Sequence, residues 1–108
     1  LGDVVLDLLK LIKRLRFLVV MTPSKLSLET VKKLISLLKS VNARIVGVVE
    51  NMSMSSRSLK EEIMEMNVRF LGSIPFDPEV ESALGDPGKI LETRFSQSLS
   101  RIVDLIKE

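Results

Sequence analysis

RIVGVVENMS, residues Arg44 to Ser53, is an apolar run with one Gly at its centre and no Pro, and it stops abruptly at Glu50-Asn51. Ile45, Val46, Val48 and Val49 show no polar alternation, which reads as a strand buried on both faces, as a parallel sheet covered by helices requires. In open parallel sheets, ligands bind beyond the carboxyl ends of the strands. The Glu-Asn-Met-Ser tip therefore either turns in solvent or borders a site.

Two similar runs flank it. Phe17 to Met21 (FLVVM) is closed by Thr22-Pro23, and Val68 to Ile74 (VRFLGSI) is closed by Pro75, since Pro biases its predecessor away from helix and ends a strand. These runs predict strands over residues 16-22, 44-51 and 68-74. Between the first two, Leu28, Val31, Leu34, Ile35 and Leu38 recur at helical spacing opposite Lys32, Lys33 and Lys39, with Ser24 or Ser27 able to cap the helix. Between the second and third, a Ser-rich loop over Met52 to Arg57 leads to Ser58-Leu-Lys-Glu61. That is the spacing of a capping box, and it predicts a short helix from about Leu59 to Met66. Strand, helix and strand in such lengths make parallel pairs with right-handed crossovers.

The ends of the chain add helices. Val4, Val5, Leu8, Leu9, Leu11 and Ile12 predict one over about Asp3 to Lys13, with Asp3 capping its first turn. Asp77-Pro78 is a helix start, because Asp accepts free amides and Pro at the first position loses no hydrogen bond; Glu79 and Glu81 follow where the dipole favours negative charge. Gly85-Asp-Pro-Gly88 breaks that helix, Ile90-Leu91 reads as a short extended piece, and a last amphipathic helix runs through Phe95, Leu99, Ile102, Val103 and Ile106. The expectation is an α/β fold in a single domain over residues 1-108, three parallel strands with helices on both faces.

Composition supports this and narrows the chemistry. A chain of 108 residues buries about two thirds of its unfolded surface, and 45% hydrophobic content with only 4% aromatic means that branched aliphatics must fill the core. A formal charge of +2 gives no argument for nucleic acid or an acidic membrane surface. The absence of Cys removes disulfides and thiolate metal sites, and the absence of His removes the commonest general base. No apolar run reaches the length of about 18 residues that suggests a membrane span, and Asp3, Asp7, Lys10 and Lys13 interrupt the first turns, unlike a signal peptide. A soluble, cytoplasmic protein is expected. Opening at Leu1 on an apolar helical pattern reads as a fragment or processed product.

No Gly-rich phosphate loop lies between a strand and a helix, and no Ser sits in a GxSxG elbow. Without His or Cys, only carboxylates, Lys or Ser could serve as catalytic groups, and the residues alone point to no catalytic or metal site. Asn51 is the one side chain placed for recognition, since its amide carries both donors and an acceptor and can read a purine edge. Asp77 belongs to the same rim and is also a fitting helix cap. Met54, Met64 and Met66 read as gap-fillers and surface apolar residues.

Leu18-Val-Val-Met-Thr-Pro-Ser24, Ser27-Leu-Glu-Thr-Val31, Gly47-Val-Val-Glu-Asn-Met-Ser53 and Leu71-Gly-Ser-Ile-Pro-Phe-Asp-Pro78 together resemble the carboxyl-terminal half of Mrp-type ATPases, which stand with MinD and the nitrogenase iron protein among the deviant Walker A (SIMIBI class) P-loop ATPases. Asp86-Pro-Gly88 resembles that family's Asp-x-Gly, and Gly2-Asp3 the end of its switch II segment. The resemblance implies a partial P-loop NTPase sheet and an ATP and Mg cofactor pair. It also implies that Asn51 contacts adenine and that Pro75, Asp77 and Val80 line the base pocket. It further implies iron-sulfur cluster assembly and a homodimer, or else a missing amino-terminal half as partner. In that family the cluster ligands are a Cys-x-x-Cys pair shortly after Asn-Met-Ser; here the stretch reads Met54-Ser-Ser-Arg-Ser58. The P-loop, switch I and Walker B carboxylate precede the point matching Leu1, so this chain alone is expected to be catalytically inactive. A stand-alone binding or oligomerisation module that has lost the nucleotide is the alternative.

Overall fold

The computed structural model describes residues 2-54 and 59-107. Their elements run α1 (Gly2–Arg14), β1 (Arg16–Met21), α2 (Lys25–Ser40), β2 (Arg44–Ser53), α3 (Lys60–Met64), β3 (Phe70–Pro75), α4 (Pro78–Ser82), α5 (Pro87–Leu91) and α6 (Arg94–Lys107). The three strands form one parallel sheet in the order β1-β2-β3. The expected α/β architecture is present, and the strand bounds differ from the expected ones by two residues at most. The Asp3 cap and the Ser58 to Glu61 capping box rest on side chains outside the described residues.

Ile90-Leu91 is not extended; it ends the helix α5. Asp86 caps this helix as Asp77 caps α4, its Oδ1 accepting the Lys89 amide at 3.3 Å with Pro87 in the first turn. The same Asp-Pro signal operates twice, and the cap offsets the cost of about 1 kcal/mol that Gly88 brings to a helix. At α2 both candidate serines are used. Ser24 accepts the Ser27 amide at 3.1 Å, and the Ser27 hydroxyl reaches back to accept the Thr22 amide at 3.0 Å, tying the end of β1 to the helix start.

Two clusters make the core. On one face of the sheet, Leu28, Val31, Ile35 and Leu38 of α2 and Leu59 and Ile63 of the α3 region pack on Val19, Met21 and Val48, while Leu34 is exposed. On the other, Phe95, Ile102, Leu105 and Ile106 of α6 pack on Val49, Leu71 and Ile74. The register slips by one residue before Gly47, which lets Ile45 and Val48 serve the first cluster and Val46 and Val49 the second. The run is thus buried on both faces without polar alternation. Helix α6 lies on β3 rather than across the whole sheet. Leu18 and Val20 of β1 therefore stay 44% and 56% exposed, and Leu99 and Val103 of α6 are also partly bare.

Helix α1 does not cover the β1 edge. Among the described residues it makes at most slight contact with any strand or other helix, Leu9 and Ile12 being only partly buried, and the radius of gyration is 16.3 Å, against about 13 Å for a compact chain of this length.

Candidate functional site

At the carboxyl end of the sheet, β2 does not stop at Asn51. Met52 takes a left-handed conformation (φ 56°), the register shifts between Glu50 and Ser53, and Ser53 then pairs with Pro75 while its carbonyl accepts the Phe76 amide at 2.9 Å. Such a bulge re-aims the side chains beside it and is common next to sites. Asn51 is half-buried, and its side chain has no hydrogen-bond partner among the described residues.

Asn51, Pro75, Asp77 and Val80, the four residues singled out from the sequence, line one cavity of about 260 Å³ with Phe76 and Phe95. Thr22, at the end of β1, is not part of it. Both oxygens of the Asp77 carboxylate accept a backbone amide. Its Oδ1 accepts the Glu79 amide at 3.0 Å, and its Oδ2 accepts the Phe95 amide at 3.2 Å. One carboxylate thus caps α4 and joins it to the start of α6, which fixes two walls of the cavity. Phe95 escaped the sequence reading as a site residue, because its spacing marks only the apolar face of α6. Nothing short-range announces the link to Asp77, 18 positions earlier.

The lining is apolar apart from Asn51, Asp77 and Glu81, and none of the described residues lining it is Lys or Arg. That suits a neutral, flat heterocycle with a polar edge and opposes a polyphosphate. The volume lies below the range of about 300–1,000 Å³ usual for whole small-molecule ligands. Among the described residues no group of three or more acidic, His or Cys side chains is placed to hold a metal ion. The described lining of this cavity supplies no cation to meet a triphosphate, and, without Cys, the chain offers no thiolate for an iron-sulfur cluster.

If Asp77 is chiefly a brace, Asp77→Ala should cost about 2 kcal/mol, the sum of a lost cap and an unpaired amide at Phe95, and Asp77→Asn about half as much. Urea unfolding midpoints of the three proteins check this ordering; equal midpoints would remove the brace.

A family model described as ParA, NUBPL iron-transfer P-loop NTPase, matches residues 1–108. An iron-sulfur cluster carrier protein of Saccharolobus solfataricus is 34% identical over 102 residues, covering 80% of this chain and 34% of that protein. One from Aquifex aeolicus is 33% identical over 101 residues, covering 80% and 28%. The cytosolic Fe-S cluster assembly factor NUBP2 of Bos taurus is 35% identical over 95 residues, covering 76% and 35%. The chain spans about a third of the length of these curated relatives.

Proposed function

Because the chain belongs to the ParA/NUBPL iron-transfer P-loop NTPases, the Mrp/MinD-type ATPases related to iron-sulfur cluster carriers, we propose that it supplies the adenine-recognition half of an ATP site. The observation that carries this reading is the convergence of Asn51, Pro75, Asp77 and Val80 on one apolar cavity at the carboxyl ends of β2 and β3. Asn51 would hold the polar edge of the ring through its amide, and Pro75, Val80 and Phe95 would enclose its faces. ATP gains much of its binding from phosphate amides and Mg²⁺. Those groups would come from a P-loop segment, on the same polypeptide or a partner, joining at the bare edge of β1. Alone, the chain neither hydrolyses ATP nor holds it tightly. A role in cytoplasmic iron-sulfur assembly would be exerted through the nucleotide-dependent assembly, with cluster ligands from elsewhere.

The test is an NMR titration with adenosine, AMP and Mg-ATP. All three should move the Asn51 side-chain amide, with dissociation constants near 1 mM and within a few-fold of one another, since that affinity is worth about 4 kcal/mol and comes from the base alone. Asn51→Ala should weaken binding about fivefold, the worth of one net hydrogen bond. Micromolar affinity for Mg-ATP would overturn the absence of phosphate contacts. No response to adenosine would remove the base site and leave a stand-alone interaction module.

A further inference from the structure

The chain has four Phe and neither Trp nor Tyr. Phe17 and Phe70 pack against the core cluster under α2, and Phe95 against the cluster under α6. Phe76 belongs to neither cluster and stays 51% exposed, although it lines the cavity beside Asn51. A single exposed Phe is ordinary on a protein surface. What sets this one apart is a backbone held on both sides. The Phe76 amide donates to the Ser53 carbonyl at 2.9 Å, which ties it to the bulge that carries Asn51 and Met52. Pro75 before it has a fixed φ and ends β3, and the Asp77 carboxylate after it accepts the Glu79 and Phe95 amides. The ring keeps only its own two side-chain rotations, so ordering it on a ligand costs little. At about 260 Å³ the cavity is below the usual range for a whole small-molecule ligand. A bound base would therefore extend to the rim, where Phe76 stands.

We propose that the Phe76 ring stacks on the bound base and makes the site prefer purines to pyrimidines. This rests on the base-site reading above and adds the residue that sets its selectivity. Asn51 carries both donors and an acceptor, so its amide can bond the edge of either class of base. Stacking grows with the π surface overlapped, and a bicyclic purine offers more of it than a single pyrimidine ring. Removing one aromatic stacking partner ordinarily weakens binding about tenfold. The stack needs only the ring face turned to the cavity. Protein against the opposite face, from a further segment or a partner, would leave it in place.

Phe76→Trp places the only indole of the chain at the cavity. Adenosine should quench its fluorescence, uridine should need about fivefold higher concentration, and ribose should leave it unchanged. By NMR titration, Phe76→Ala should weaken adenosine about tenfold, and Phe76→Leu, which keeps apolar bulk without a π face, nearly as much. The preference for adenosine over uridine, about fivefold in the unmodified chain, should fall below about twofold in both variants. Their urea midpoints should match that of the unmodified chain, because Phe76 belongs to no core cluster, so lost binding is not lost folding. If adenosine moves the Asn51 amide at the same concentrations in the unmodified and Phe76→Leu chains, the base site stands and the stack is overturned. Equal affinity of the unmodified chain for adenosine and uridine overturns it as well. A chain that responds to no nucleoside loses both readings.

Discussion

Gly47→Ala should destabilise the fold by about 3 kcal/mol, near the upper end of what overpacking a core costs. A methyl group at Gly47 would stand 2.7 Å from Leu71 Cγ and 2.8 Å from the Arg69 carbonyl oxygen. The Leu71 side chain is buried in the cluster under α6 and has little room to turn. The carbonyl cannot retreat either, because it accepts the Val48 amide at 2.8 Å and that bond joins β3 to β2. The new Cβ would thus break the strand pairing or drive Leu71 off its rotamer. Gly85 is the control. Its φ of +89° also disfavours a side chain, but nothing lies within 4 Å of the added atom, so Gly85→Ala should cost only about 1 kcal/mol. Urea midpoints at unchanged slope measure both. A Gly47 variant no worse than the Gly85 variant would mean that the two strands can separate without loss.

The three strands were legible because each is an uninterrupted apolar run stopped by a polar or Pro-containing loop, a pattern that parallel strands buried by helices enforce. The slip at Gly47 was not legible. The Gly can be read in the run, but its cause is the approach of Arg69 and Leu71 from another strand. The candidate site was legible in part for a similar reason. Asn51 and Pro75 end adjacent strands, so a parallel sheet must bring them to one rim, whereas Phe95 arrives through the long-range grip of Asp77 on the start of α6. The behaviour of α1 was the least legible. Its periodicity states that one face is apolar, and periodicity carries no information on what that face meets.

Glu50 should prove the costliest polar residue to remove. Its side chain is wholly buried at the end of β2. Its Oε2 accepts the Leu59 amide at 3.2 Å, and its Oε1 accepts the Ser73 hydroxyl at 3.1 Å. One carboxylate thereby joins β2, β3 and the entry to α3, a single residue before Asn51. Glu50→Ala would leave the Leu59 amide without its acceptor and open a cavity. An unmet buried donor costs about 1–3 kcal/mol, and with the cavity the expected loss is about 4 kcal/mol. Glu50→Gln should cost only about 1 kcal/mol, because its carbonyl can keep the Leu59 amide while its amide group turns to the Ser73 oxygen, which can accept as well as donate. Glu50→Met fills nearly the same volume with no acceptor of comparable strength, so it separates space-filling from hydrogen bonding. It should fall close to Ala if the bonds matter and close to Gln if only volume does. Adenosine titration of the same variants extends the argument to the site. In Glu50→Gln, Asn51 stays on a pinned strand end and binding should be unchanged, whereas a Met variant that folds but binds several-fold more weakly would show that the carboxylate holds the bulge at Asn51 and Met52 in place.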